Sequence, residues 1–286
     1  MRTRIRRTTL AGTAAGLTLV LASPFVASAN ASNHGGAESG HHGWHSSSNP
    51  AEHTAKKALK AAIKAANKAF KTSVRTANMA FKNDPIVVAA RAARAAVVHT
   101  STDPAMILAA NQAYAAAVAA PLATRDAAVE AALAVWITSV DAAFTVYDTA
   151  TLSPAEAAAK ATFRTSVRAA ALTFKAAEKS AKVTFKAAVA PAHAQLRASV
   201  NAAIAAFMAS PKAAADKATF EAAVKAARAA FAADPTVVAA KTAKHTAISS
   251  ARTAYLAAVK AARDAFFAAT GHNPKRWKPV LPKIHD

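Results

Sequence analysis

Between Gly43 and Gly271 the chain contains no glycine, and alanine dominates that stretch. Alanine is the strongest helix former, while tight turns, hairpins and bulges draw on glycine for backbone angles that other residues avoid. Helix is therefore the regular structure this sequence can adopt, and strand hairpins are not expected. The same gap excludes phosphate-cradling loops, dinucleotide fingerprints and nucleophile elbows, all of which turn on glycine. Alanine also buries little area, so a core built this way depends on close helix approach and on sparse Phe, Val, Ile and Leu anchors.

Prolines punctuate the alanine. Asn49-Pro50, Asp84-Pro85, Asp103-Pro104, Ser153-Pro154, Ser210-Pro211 and Asp234-Pro235 each set a short polar acceptor directly before proline, the pattern of a helix start. Glu52 and Glu156 stand three residues after Asn49 and Ser153 and complete capping-box-like patterns. Pro121 and Pro191 lack such a cap and read either as kinks or as breaks. Gly271 closes the last helix. The spacing predicts helices over 50–83, 85–101, 104–120, 121–150, 154–190, 191–209, 211–233 and 235–270.

Within these helices one unit recurs: a large apolar residue, a branched one four later, alanine seven later and an aromatic eleven later. Copies run Leu59, Ile63, Ala66, Phe70; Phe70, Val74, Ala77, Phe81; Trp136, Val140, Ala143, Tyr147; and Phe163, Val167, Ala170, Phe174. Three more are Leu196, Val200, Ala203, Phe207; Phe220, Val224, Ala227, Phe231; and Tyr255, Val259, Ala262, Phe266. At about 100° per residue these steps fall within about 40° of one another and form a narrow packing stripe. The residue after the branched one is often cationic (Lys64, Arg75, Arg168, Lys225, Lys260) and is expected to border the seam in water. A longer likeness joins Phe70–Arg91 to Phe220–Lys241 and points to duplication of a helix, turn, helix module, with 50–120 and 200–270 as similar halves. Thr162, Thr173 and Thr184 recur every eleven residues, a spacing that resembles alanine-rich helical antifreeze proteins. They adjoin phenylalanines on a cationic helix, unlike a flat neutral ice-facing surface.

The expected fold is all-α: an alanine-rich multi-helix bundle of antiparallel helical hairpins with internal eleven-residue repeats, a flexible N-terminal segment and an extended C-terminal tail. Residues 1–29 read as a cleaved secretory leader, with Arg2, Arg4, Arg6 and Arg7 before an apolar run from Leu10 to Val26 and small residues at Ala27, Ser28 and Ala29. Processing after Ala29 competes with processing after Ala31, and the latter exposes Ser32-Asn33-His34, a terminus able to chelate Cu(II) or Ni(II). No later segment reads as an uninterrupted apolar span free of charge. Cysteine is absent, which removes disulfides, thiolate metal sites and cysteine nucleophiles together.

Residues 30–49 form a His-, Gly- and Ser-rich linker in which His34, His41, His42 and His45 are candidate ligands for Cu, Ni or Zn; a solvated low-complexity tail is the alternative. Residues 271–286 form a basic, proline-rich tail with Lys275, Arg276 and Lys278 around Trp277. His99, His193 and His245 fall singly on different helices without metal-ligand spacing, and no nearby His and acid pattern singles out a Ser or Thr, so neither a catalytic centre nor a cofactor is expected. The region from Pro121 to Ser153, with Asp126, Glu130, Asp141 and Asp148, is the acidic exception and is expected to pair with the basic helix after Pro154.

The formal charge of +21 favours anionic partners. Candidate polyanion-binding residues are Lys56, Lys57, Lys60, Lys64, Lys68 and Lys71 in the first helix and Lys160, Arg164, Arg168, Lys175, Lys179, Lys182 and Lys186 after Pro154, joined by Lys275, Arg276 and Lys278. A solvated, solubilising face is the plainer alternative. The sequence thus points to a secreted, non-enzymatic structural or binding protein. Its expected partners are anionic envelope polymers, extracellular nucleic acid or acidic lipid surfaces. Metal binding by the His-rich segment and lipid-surface binding by opened aromatic stripes are the other readings.

Overall fold

The computed structural model describes residues 50–211 and 214–274; the leader, the His-rich linker and the tail from Lys275 lie outside the described residues. All of the described residues belong to one compact unit, Ser47–Asp286. Among them are six helices and no strand: α1 (Pro50–Asn83), α2 (Pro85–Val98), α3 (Pro104–Thr151), α4 (Pro154–Ala209), α5 (Ala214–Ala233) and α6 (Pro235–Thr270).

The starts follow the caps. The Asp84 carboxylate accepts from the backbone N–H groups of Ile86 and Val87 at 2.8 and 3.3 Å, and Asp234 does the same for Thr236 and Val237 at 2.8 and 3.1 Å. Asp103 caps Ala105, and Ser153 with Glu156 closes a full capping box. Gly271 ends α6 at φ 72°, the left-handed region that favours glycine.

Two boundaries differ from the sequence reading. Pro121 and Pro191 neither break α3 nor end α4; each lies inside a continuous helix. An internal proline costs a helix about 3 kcal/mol through its missing N–H and its clash with the preceding turn. Here it is flanked by anchors on both sides: Val118 and Trp136 in α3, Val189 and Ala194 in α4, all buried. Ser210 is different: the amides that it would cap as a helix start, at 212 and 213, lie outside the described residues. It caps the C-terminus of α4, its backbone N–H and hydroxyl both donating to the Phe207 carbonyl, and Pro211 directly after it cannot continue the helix. The described part of α5 begins at Ala214.

The core is a series of small clusters along paired helices. α1 meets α3 through Ala66, Phe70, Trp136 and Val140, and the Trp136 indole N–H donates to Asn67 Oδ1 at 2.8 Å. Farther on, the Arg125 guanidinium lies over Phe81, so the two helices run in opposite directions. α2 continues past the Asp84 break along the first part of α3, with Val98 against Ile107. On the other side, α4 meets α6 through Phe163 and Val167 against Ala262 and Phe266, and later through Val189 against Val237. Phe207 and Phe220 join α4 to α5, ring centroids 5.4 Å apart. Every member of the seven eleven-residue units is buried or half-buried.

α4 also packs against α3, which gives it a second covered face. The turn between α2 and α3 is held on α4 by Asn201, whose amide donates to the carbonyls of Val98 and Ser101 at 2.9 and 2.7 Å. Arg197 adds a bond to the Val98 carbonyl. Pro104 to Thr124 of α3 carries no Asp, Glu, Lys or Arg, with Asn111 and Gln112 interrupting its apolar run. By length and composition alone α3 could cross a membrane, and its most apolar window is 11% buried. The alanines between its anchors leave that stretch largely uncovered.

Candidate polyanion interface

The cations named from sequence fall into two sets with different surroundings. On α1, Lys56, Lys57, Lys60, Lys64, Lys68 and Lys71 are all exposed, and the helix holds a single acid, Glu52. At about 100° per residue, Lys57, Lys60, Lys64, Lys68, Lys71, Arg75 and Lys82 share an arc of about 80°, with Lys56 just outside it. Arg75 and Lys82 were not among the residues picked from sequence runs, and counting helical angle rather than adjacency finds them. The opposite face of α1 carries Ala66, Phe70 and Ala77 into the contact with α3, so the cationic face has to look outward. Among the described residues no ion pair involves any of these side chains. Lys60, Lys64, Lys68, Lys71 and Arg75 edge a shallow trough of about 630 Å³.

On α4 the picture changes. Arg164 and Arg168 are buried and stand on no outward ridge. Arg164 meets Asp148 at 2.6 Å with both side chains almost fully covered, and its guanidinium lies 4.6 Å over the Phe144 ring. Arg168 holds both carboxylate oxygens of Asp141, at 2.6 and 2.7 Å. The expectation that Arg168 borders the seam in water is therefore corrected. α4 is covered by α6 on one side and α3 on the next, and the residues one position after the stripe face α3. Two cations are drawn in there because α3 presents carboxylates opposite them; the acidic region does pair with the basic helix.

Lys179 reaches Asp126 at 3.1 Å, and Lys182 lies 2.8 Å from Glu178. Partial burial raises the Asp126 carboxyl, but hydrogen bonds from Arg125 and Lys179 and their charges outweigh it and leave the group below its ordinary value. Lys175, half-buried, lines a groove of about 500 Å³ between α1, α3 and α4 together with Val74, Leu133, Leu172 and both signs of charge. Lys160 is half-buried near Glu156, and Lys186 is exposed. The hydroxyl and backbone N–H of Ser153, with smaller contributions from His272 and Lys160, hold the Glu156 carboxyl below its ordinary value.

The candidate metal ligands His34, His41, His42 and His45 lie outside the described residues, as do Lys275, Arg276 and Lys278. Among the described residues no three His, Cys, Asp or Glu side chains gather as a metal site. Three histidines in or next to the helices take local roles: the His99 ring faces Arg197 at 2.6 Å, His193 meets the Phe231 ring edge-on, and His272 meets Phe266 in the same way.

Among the described residues, fold and surface together define an all-helical protein whose α1 presents an exposed cationic face without an ion pair. The chain matches no protein family, no curated protein and no solved structure.

Proposed function

We propose that this is a secreted, non-enzymatic structural or binding protein that holds anionic polymers or surfaces along α1. The supporting observation is the contrast between the two basic helices. The inward cations of α4 meet the carboxylates of α3, while those of α1 stand outward without an ion pair among the described residues. Exposed lysines at repeated steps of three and four residues neutralise a polyanion and release its counterions, a gain that needs no base-reading group and fades with salt. Candidate partners are envelope polymers, extracellular nucleic acid and acidic lipid.

The finer architecture belongs to the same reading: duplicated hairpins, with α1–α2 and α5–α6 as copies of one broken-helix module. Asp84 and Asp234 cap with nearly identical backbone angles, and Val87 and Val237, three residues after each, are both fully buried. A lipid-surface role is the second reading, and the long apolar helix α3, little buried over its most apolar window, favours it.

The test is retention of the full chain on an immobilised polyanion over a salt gradient. Lys64→Gln/Lys68→Gln/Lys71→Gln should elute at clearly lower salt than the wild type, with an unchanged helical circular dichroism spectrum. Equal elution of the two would remove α1 as the binding face. Flotation with anionic vesicles but no retention on the polymer would favour the lipid reading. N-terminal sequencing of the exported product tests the leader, and an intact Met1 there would refute cleavage.

A further inference from the structure

We propose that the polymer held on α1 is a flexible, non-aromatic phosphodiester chain, lying along the helix with its phosphates over Lys60, Lys64, Lys68, Lys71 and Arg75. This rests on the polyanion reading above and adds the chemistry of the polymer to it.

The first ground is spacing. These five cations are separated by four, four, three and four residues, which at about 1.5 Å rise per residue places successive charges roughly 4.5–6 Å apart along α1. Three extended backbone bonds span about 3.3–3.6 Å. A polymer with six bonds between phosphorus atoms therefore reaches roughly 7 Å at full stretch, and slightly relaxed it matches one phosphate to each cation. The flexible lysine stems absorb the remaining mismatch.

The second ground is shape. The five side chains stay within an arc of about 80°, so the ridge is nearly straight for roughly 22 Å. A chain that can straighten follows it, whereas a phosphate strand of a rigid duplex winds away.

The third ground is that, among the described residues, no aromatic ring lies on this face between Lys60 and Arg75. Phe70 is 3% exposed, and Phe81 is half-buried beneath the Arg91 and Arg125 guanidinium groups. Stacking supplies about 1–3 kcal/mol per base where aromatic side chains are available, so between Lys60 and Arg75 a strand of bases gains nothing over a polyol backbone. The trough between the cations offers Asn67 and Thr72 instead, groups suited to hydroxyls.

The experiment titrates the full-length protein with poly(glycerol phosphate), with mixed-sequence single-stranded DNA and with duplex DNA, matched in phosphate number, over a salt series. Poly(glycerol phosphate) should bind within about fivefold of the tighter nucleic acid, with a log–log salt slope of roughly −3.5, five phosphates at about 0.7 each. Lys64→Gln/Lys68→Gln/Lys71→Gln should reduce that slope by roughly 2. Lys225→Gln/Lys241→Gln/Arg252→Gln removes the same charge from α5 and α6 and should leave it unchanged. Either nucleic acid binding more than about fivefold tighter overturns the phosphodiester proposal and leaves the polyanion reading standing. Equal slope losses in the two triple variants, or no binding to any of the three polymers, overturn both.

Discussion

Aspartates 84 and 234 show how much a single side chain decides. Each accepts two backbone N–H groups that the first turn of α2 or α6 would otherwise leave bare, and each sets the angle at which the chain leaves the preceding helix. Asp84→Ala should lower stability by about 1 kcal/mol, and the Asp84→Ala/Asp234→Ala double variant by about the sum, since the sites share no partner. In a domain of this size that is roughly 2–4 °C per kcal/mol in a thermal melt. Additivity failing by more than about 1 kcal/mol would show that the two breaks are coupled. Trp136 is the deepest large side chain, 1% exposed, and its indole N–H has Asn67 as partner. Asn67→Ala should cost about 1–3 kcal/mol by stranding that donor, read as a shift in the denaturant midpoint. The caps were legible because the acceptor and its amides lie two or three residues apart. The Trp136–Asn67 bond was not, because 69 residues separate its ends.

At the scale of elements, the telling case is α4 between α3 and α6. Its stripe of Phe163, Val167 and Phe174 was readable as a packing face, but the face beside it looked like solvent because it carries arginines. The carboxylates of α3 turn that face into a second interface. Arg164→Ala should then destabilise by about 3–5 kcal/mol, far beyond a surface ion pair, because it leaves Asp148 buried without its charge partner. Arg164→Met with Asp148→Leu should recover most of the loss, and equilibrium unfolding of the three proteins checks it. A loss below about 1 kcal/mol for Arg164→Ala would mean that water reaches the pair.

Asp126 gives the same interface an acid sensitivity. Its carboxyl is held below its ordinary value when folded, so the ionised form stabilises the fold at neutral pH. That contribution begins to fall as pH drops below the unfolded carboxylate value and is gone once pH passes below the depressed folded one. Asp126→Asn should thus lower the melting temperature at pH 7, with a deficit that shrinks as the pH is taken down to 2.5. An equal deficit at both pH values would show that the charge contributes nothing.

For the whole molecule, two helices that look alike in sequence diverge in role because of their neighbours. α1 sits at the outside of the α1–α3–α4 stack and has one covered face, so its cations remain available. Polyanion binding should therefore weaken steeply with salt in the wild type, and the α1 triple variant should flatten that dependence while leaving the melting temperature within about 1 °C, as expected for exposed, unpaired lysines. Surface plasmon resonance over a salt series, paired with a thermal melt, reads both.

Helix content, the proline-capped starts, the left-handed stop at Gly271 and the inward stripes follow from the sequence because each is fixed within about eleven residues, by propensity, by capping and by helical period. Continuity through Pro121 and Pro191, the burial of Arg164 and Arg168 and the availability of the α1 lysines were decided by the tertiary structure alone. Each depends on which helix lies alongside, and alanine surfaces permit many neighbours of similar energy. The choice falls to a few distant partners such as Asp141, Asp148, Asn67 and Asn201.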